Sequence, residues 1–113
     1  MRAAEGAIPL AKYFFMYQCR PGTEAEYVER HKQVWPGVVQ ALKNAGFSNF
    51  ITFMKGNQLY ATIDNDGDFR TAWAKFQADP ETQRWEKYMS EILITDVTQG
   101  EMEVIDNVVF RMD

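Results

Sequence analysis

A two-residue turn near the middle of the chain, Gly56-Asn57, places the strongest constraint on the fold. Residues 47–55 before it and residues 58–64 after it alternate apolar with polar or aromatic side chains, which is the two-residue period of a β-strand. Two such segments joined by a two-residue turn that contains glycine are typical of a β-hairpin. The centre of the chain is therefore predicted to be a pair of antiparallel strands.

The segment before the hairpin is predicted to be a strand followed by a helix. Residues 12–20 are rich in aromatic side chains and end at a Pro-Gly turn, as a strand does. Residues 24–44 are predicted to be helical. Pro36 interrupts this helix, and since a proline removes a helical hydrogen bond, we expect a kink or a restart near Trp35.

The segment after the hairpin repeats this pattern in the order helix, then strand. Residues 68–78 carry apolar side chains at helical spacing, and a second helical segment begins at Asp79 as N-cap and runs to about residue 92. Residues 101–111 are predicted to form the final strand. The resulting order, β-α-β-β-α-β, is the ferredoxin-like α+β arrangement.

The composition indicates one globular domain over residues 1–113, with residues 1–11 as a loose leader. The chain is 46% hydrophobic and 25% charged, which excludes a disordered protein, and its net charge of -4 lacks the basic patch of a nucleic-acid binder. One cysteine, Cys19, forms no internal disulfide and fits a reducing compartment. No apolar run approaches the ~20 residues that cross a bilayer. We expect a cytoplasmic protein.

The number of aromatic residues on the strands predicts a homodimer. Two helical regions cover only one face of a four-stranded sheet. The strands carry more large aromatic side chains than that one face accommodates, namely Phe15, Tyr17, Phe50, Phe53 and Tyr60. Two copies that pack sheet against sheet would bury the second face and form a dimeric α+β barrel.

The first candidate for chemistry is a row of side chains on the first helix. Tyr27, His31 and Trp35 are spaced i, i+4 and i+8, which places them on one helical face. His31 is the only histidine of the chain, and an imidazole is suited to proton transfer near neutral pH. A half-exposed face whose polar tips reach water explains the same spacing, and both interpretations stay open at this point.

The second candidate is a cluster of residues around Trp85 on the last helix. Its indole ring could stack on the apolar side of a sugar or on a methyl group, although the helical period favours a place in the core. One histidine, one cysteine and no clustered carboxylates cannot form a usual metal site, and no glycine-rich nucleotide loop is present. We expect neither a metal nor another cofactor.

Together these two clusters resemble the L-rhamnose mutarotase family, which also includes L-fucose mutarotases. The likeness runs from about residue 13 to residue 112 and keeps the order and spacing of two motifs, Tyr27-x-x-x-His31-x-x-x-Trp35-Pro36 and Arg84-Trp85-x-Lys87-Tyr88-Met89. The resemblance implies a ferredoxin-like homodimer that interconverts sugar anomers without a metal or an organic cofactor. It also implies that His31 is the proton donor, Tyr27 a substrate-binding residue and Trp85 the first of two adjacent tryptophans that contact the sugar.

Two residues depart from the pattern of that family. Glu86 stands where the second tryptophan is expected, and Phe50 stands where a tyrosine is expected. Both changes lie in the presumed pocket, so they change which sugar hydroxyls are recognised. L-fucose, or another 6-deoxy aldose, is therefore a candidate substrate beside L-rhamnose. The predicted substrate-binding residues around the catalytic His31 are Tyr27, Trp35, Phe50, Trp85 and Glu86.

Mutarotation requires a proton to leave the anomeric hydroxyl and another to reach the ring oxygen. We expect His31 to exchange a proton with the ring oxygen while Tyr27 hydrogen-bonds the sugar. Glu86 accepts hydrogen bonds from sugar hydroxyls or is a second proton-transfer group. Small dimeric barrels of this kind also act as cofactor-free monooxygenases and as binders of haem or other small ligands, so these functions, and a non-catalytic sugar-binding module, are the alternatives.

Overall fold

The computed structural model describes residues 10–97 and 101–112 of the chain. Within these ranges four strands and four helices form a single antiparallel sheet with helices on one side. In chain order they are β1 (Ala11–Gln18), α1 (Glu24–His31), α2 (Pro36–Asn44), β2 (Phe47–Lys55), β3 (Gln58–Asn65), α3 (Phe69–Gln77), α4 (Pro80–Ser90) and β4 (Glu103–Ile105).

The sheet has the strand order β2-β3-β1-β4, and each neighbouring pair is antiparallel. The strands β1 and β2 are thus parallel to each other with β3 between them, which is the split βαβ topology. The predicted ferredoxin-like α+β fold is confirmed, with each of its two helical regions divided into a pair of helices.

The first helical region restarts at Pro36, as the sequence predicted. A proline at the first position of a helix needs no N–H donor, and it holds the preceding residue, Trp35, in an extended conformation with φ -57° and ψ 135°. Helix α1 has already ended at His31. Trp35 is therefore outside the helix that carries Tyr27 and His31, and the expectation that one helical face holds all three residues is wrong.

The predicted final strand over residues 101–111 is shortened to three residues. Only Glu103–Ile105 pairs with β1, and β4 lies at the edge of the sheet. Beyond it Val109 and Phe110 are 92% and 81% exposed. An apolar run in the sequence indicates a surface to be buried, but it does not show how far a strand pairs: the pairing of β4 stops at Ile105, opposite Phe14, although β1 begins three residues earlier at Ala11.

Two further predictions concern the residues at which β1 and α4 begin. Strand β1 begins at Ala11, one residue earlier than expected, so the last residue of the predicted leader belongs to the sheet, and residues 1–9 lie outside the described residues. The predicted N-cap Asp79 is confirmed, since its side chain accepts a hydrogen bond from the Glu81 N–H at the start of α4. With 11 residues α4 is the longest helix, and no helix in the described ranges is long and apolar enough to cross a membrane.

The sheet presents two different faces, which we call the covered face and the open face. The covered face packs against the helices and holds the core, including Phe15, Cys19, Leu59, Ala61 and Ile63, each at most 2% exposed. The open face carries the alternate residues of the same strands. Its apolar members are Phe14, Met16, Ile51, Phe53, Tyr60 and Ile105.

Candidate active site

A cavity of about 360 Å³ lies between the covered face and the helices. Small-ligand sites in proteins have roughly this volume or more, at about 300–1,000 Å³. Most of its wall is apolar and comes from the sheet, the helices and the segments that follow them: Phe15, Val34, Val38, Val39, Leu42, Phe50, Trp73, Phe76, Trp85, Met89, Leu93, Val97 and Met102. Besides the indole N–H groups of Trp73 and Trp85, five of its lining residues carry polar groups: Tyr17, Tyr27, His31, Thr52 and Glu86.

The imidazole of His31 is held in one tautomer by its own helix. Its Nδ1 lies 3.0 Å from the carbonyl oxygen of Tyr27, one turn earlier. A carbonyl only accepts hydrogen bonds, so we infer that Nδ1 carries the hydrogen and that Nε2 of the neutral ring is an acceptor. Burial lowers the pKa of His31 below its usual 6.5, against the opposing effect of this hydrogen bond. The ring is therefore neutral at pH 7 and can act as a base through Nε2.

Two aromatic rings fix the orientation of this imidazole. The ring of Tyr27 stacks on the ring of His31, with centroids 4.1 Å apart and planes 17° apart. The ring of Trp85 meets it edge-on at 5.4 Å and 79°. His31 thus contacts both Tyr27 and Trp85 at the cavity wall, and all three were predicted as site residues from the sequence. Trp85 is at once a core residue and a wall residue.

Trp35 was predicted to bind substrate, but it is not among the residues that line the cavity. Its indole contacts Trp85 edge-on at 5.1 Å and stacks on the ring of Tyr88 at 5.4 Å. Arg30 lies over the other ring of this stack, with its guanidinium carbon 3.9 Å from the centroid of Tyr88. Trp35 therefore packs against two residues of α4, Trp85 and Tyr88, and supports Trp85 from outside the cavity.

Phe50 reaches the cavity because β2 is irregular at this point. The pairing of β2 with β3 shifts between Ser48 and Ile51, and Asn49 has a positive φ of 51°. The shift leaves Phe50 on the covered face, where its ring lies 5.8 Å from that of Phe15. Phe50 remains 39% exposed, so it lies at the rim of the cavity.

A group of hydroxyls lines the cavity beside His31, two of them on the buried Tyr17 and Tyr27 and one on the exposed Thr52, and the sequence did not identify this group. The hydroxyls of Tyr17 and Tyr27 are hydrogen-bonded to each other, and the side chain of Thr52 also hydrogen-bonds Tyr17. Burial raises the pKa of both tyrosines above 10, so they stay protonated at neutral pH. The alternation of β1, which puts Tyr17 on the same face as Phe15, was the available signal for Tyr17.

Glu86 places a buried carboxyl group in the same cavity. It is 7% exposed, and its Oε2 accepts a hydrogen bond of 3.0 Å from Nε2 of Gln77. The same amide nitrogen donates to the carbonyl oxygen of Val97 at 3.1 Å. Burial raises the pKa of Glu86 above 4.5, the charge of Asp96 adds to this effect, and the Gln77 hydrogen bond opposes it. Gln77 was not predicted, because it becomes a neighbour of Glu86 only through the packing of α3 on α4.

The thiol of Cys19 is not among the groups that line the cavity. Cys19 is a buried free thiol of the core. In the described part of the chain, no three histidine, cysteine, aspartate or glutamate side chains are grouped so that they could hold a metal ion.

Comparisons with known proteins identify a consistent set of relatives. A family model described as L-rhamnose mutarotase matches residues 12–112. The L-rhamnose mutarotase of Rhizobium johnstonii is 30% identical over 105 residues, which cover 91% of this chain and 97% of that protein.

Solved structures give the same result for the fold. An L-rhamnose mutarotase from Formosa agariphila superimposes with a TM-score of 0.69 at 26% identity, over 90% of this chain and 98% of its own. A Bacteroides thetaiotaomicron protein assigned to the antibiotic biosynthesis monooxygenases has a TM-score of 0.61 at 13% identity, over 96% and 100% of the two chains. At that identity the second likeness shows the fold alone.

Proposed function

The chain belongs to the L-rhamnose mutarotase family, and from this premise we propose that it interconverts the α and β anomers of L-rhamnose in the cavity around His31. The observation that carries the proposal is the imidazole of His31 in the wall of a mostly apolar cavity, with its Nδ1 on the carbonyl oxygen of Tyr27, from which we infer an unprotonated Nε2. Such a base needs no cofactor to move the proton of a hydroxyl group.

In the proposed reaction His31 begins as a base. Its Nε2 takes the proton of the anomeric hydroxyl while the bond between C1 and the ring oxygen breaks, and a second proton donor gives the ring oxygen a proton that it takes back when the ring closes. Rotation about the C1–C2 bond and closure of the ring give the other anomer, and the imidazolium then returns its proton. Positioned proton transfer of this kind contributes roughly 10²–10⁴ to a rate.

The other lining residues have the arrangement that a 6-deoxy sugar requires. The rings of Phe50 and Trp85 provide apolar surface for the C–H side of the sugar and its methyl group. Tyr27 and Glu86 provide hydrogen-bonding groups for its hydroxyls. In this proposal Trp35 contributes by supporting Trp85 and does not contact the sugar.

The identity of the sugar is a separate part of the proposal. L-rhamnose is the sugar that the names of the relatives give, and we take it as the first substrate. L-fucose stays a prediction from the sequence, because Glu86 and Phe50 change the polar groups in the pocket. Measurement of both sugars in parallel decides between them.

The test is saturation-transfer NMR of anomer exchange, with L-rhamnose and L-fucose as substrates. We expect the wild type to accelerate exchange, and His31→Ala to lose roughly 10²–10⁴ of that acceleration, the usual size of such a contribution. Gln33→Ala, an exposed change two residues later, is the matched control and should behave as the wild type. Equal rates for His31→Ala and Gln33→Ala would exclude His31 as the proton-transfer residue.

We also propose that the enzyme is a homodimer that pairs through the open face. Phe53, Ile51 and Ile105 of this face are 60%, 52% and 42% exposed. Val109 and Phe110, in the segment after β4, are more exposed still. Contiguous apolar surface of this kind marks an interaction site in a protein that is otherwise charged. Sedimentation equilibrium at micromolar concentration tests this, and a monomer there would contradict it.

The cytoplasm is the compartment that we propose for the enzyme. The thiol of Cys19 is buried and free, as expected where thiols stay reduced. Cell fractionation with an antibody against the chain tests this location.

A further inference from the structure

Glu86 separates two cavities of different character. On one side is the apolar cavity that contains His31. On the other side is a more polar cavity of about 590 Å³, lined among others by Arg20, Lys87 and Asp96. Of the ionisable residues in the described ranges, Glu86 alone lines both cavities. A proton on its carboxyl group therefore has a route to water that does not pass through the sugar site.

The orientation of this carboxyl group is set by Gln77. The amide nitrogen of Gln77 bridges Oε2 of Glu86 and the carbonyl oxygen of Val97, and so joins α3, α4 and the segment after α4. Because the amide contacts Oε2, the other oxygen, Oε1, keeps its bonding capacity for a ligand. The Gln77 hydrogen bond therefore fixes the carboxyl group and leaves Oε1 available to a ligand.

Tyr27 is the other candidate for a second proton-transfer group, and its surroundings disfavour it. Its hydroxyl is already hydrogen-bonded to that of Tyr17, and both are buried. Burial raises the pKa of Tyr27 further from neutral pH, whereas it raises the pKa of Glu86 from 4.5 toward neutral pH. A group matched to proton transfer near pH 7 is the better acid–base catalyst.

On the basis of the mutarotase function given above, we propose that Glu86 is the second proton-transfer residue, the partner of His31, and that Gln77 is its positioning residue. On ring opening, Nε2 of His31 takes the proton of O1, the C1–O5 bond breaks with its electron pair going to O5, and the proton of Oε1 of Glu86 moves to O5. The products are the open-chain aldehyde, an imidazolium and a carboxylate. Ring closure returns both protons, so no co-reactant is needed.

The pH dependence of kcat/KM follows from this pair. The charged and titratable groups that share a cavity with Glu86 are Tyr17, Tyr27 and His31 in the apolar cavity, and Arg20, Lys87 and Asp96 in the polar cavity. The reaction needs an unprotonated His31 and a protonated Glu86, so the rate falls at low pH, where His31 holds a proton, and at high pH, where Glu86 has lost the proton it must donate. The profile of the wild type is therefore bell-shaped.

The deciding variant is Glu86→Gln, which keeps an oxygen for the Gln77 hydrogen bond and removes the transferable proton. We expect its kcat for anomer exchange to fall by roughly 10²-fold or more, its affinity for L-rhamnose to stay nearly the same, and the alkaline limb of the profile to disappear. Glu81→Gln is the matched control, since Glu81 is on the same helix with its carboxylate paired to Arg84. A Glu86→Gln variant with wild-type kcat and both limbs would overturn the proposal.

Gln77→Met tests the positioning role, and it decides the matter if Glu86→Gln does not fold. Loss of the amide donor removes a hydrogen bond that stabilises the carboxylate, so the alkaline limb should move to higher pH. If Gln77 had only a structural role, the variant would be less stable with an unmoved limb. A wild type that does not accelerate anomer exchange defeats the proposed function itself, whereas an active wild type with a normal Glu86→Gln variant defeats only this inference.

Discussion

The two faces of the sheet carry similar side chains and differ in what surrounds them. Phe14 and Phe15 are neighbours on β1, but Phe15 is 2% exposed in the core, whereas Phe14 lies half-buried on the open face. Phe50 and Phe53 of β2 also lie on different faces: Phe50 lines the cavity, whereas Phe53 lies on the open face and is the more exposed of the two. Helices from the same chain cover one face, and nothing in the described residues covers the other.

The two faces of the sheet therefore differ in role: the covered face forms the core and the cavity wall, and the open face is the proposed assembly surface. On the covered face, aromatic residues such as Phe15 and Trp85 belong both to the core and to the wall of the cavity, so stability and activity depend on the same side chains. On the open face, residues such as Phe53 are free of the cavity and are available for assembly. Four experiments test whether the two faces are distinct in this way, beginning with the largest expected effect.

The largest effect is expected from truncating the two neighbouring phenylalanines of β1. Phe15→Ala should lower the free energy of unfolding by about 3–5 kcal/mol, because it leaves a void in the core. Phe14→Ala should lower the free energy of unfolding much less than this at low protein concentration, where no second copy covers the open face. Urea unfolding at several protein concentrations measures both. Equal losses for the two variants would show that the faces are not distinct.

A charge on the open face should break the proposed dimer. In Phe53→Glu a carboxylate would be buried in an apolar interface, and we expect the dimer dissociation constant to rise about 30-fold or more, the effect of a residue that contributes about 2 kcal/mol. Glu29→Lys, an exposed change on α1, is the control and should leave the dimer intact. Sedimentation equilibrium measures the constant, and an unchanged value for Phe53→Glu places the interface elsewhere.

A smaller effect is expected at the rim of the cavity. Phe50→Ala removes apolar surface from the rim of the proposed sugar site, so the affinity for L-rhamnose should fall about tenfold, which corresponds to about 1.4 kcal/mol. Because Phe50 is 39% exposed, the stability should change little. Phe53→Ala, on the other face of the same strand, should keep the wild-type KM. If Phe53→Ala raises KM as much as Phe50→Ala does, the open face also takes part in sugar binding.

The smallest effect concerns the buried imidazole of the covered face. The folded protein lowers the pKa of His31 below 6.5, so the unfolded chain binds this proton more readily. Stability from this group is therefore present above pH 6.5 and is lost as the pH falls through the lowered pKa. Thermal unfolding between pH 7 and pH 5 should show a smaller loss in His31→Gln than in the wild type. Identical losses would mean that burial does not perturb this group.

Much of the fold could be predicted because its signals are local. The hairpin at Gly56-Asn57 and the restart at Pro36 depend on residues a few positions apart, and both are present in the structure. The final strand could not be given its true length, because its pairing with β1 joins residues about 90 positions apart in the chain and stops at Ile105, while β1 continues to Ala11.

In the candidate site too, local contacts could be predicted from the sequence and contacts that depend on the path of the chain could not. Tyr27 and His31 are four residues apart on one helix, so their contact and the Nδ1 hydrogen bond follow from helical geometry alone. The helical spacing of Trp35 was misleading, since the chain leaves the helix before it reaches this residue.

The sequence by itself determined the order of elements, the alternation that assigns each strand residue to a face, and the pairing of Tyr27 with His31. Backbone sterics and side-chain period decide these features within a few residues. Only the tertiary structure decided that Tyr17 meets Tyr27 and that Gln77 holds Glu86, because these contacts join separate elements. The packing of helices on the covered face brings those elements together, and that packing is not visible in any short stretch of sequence.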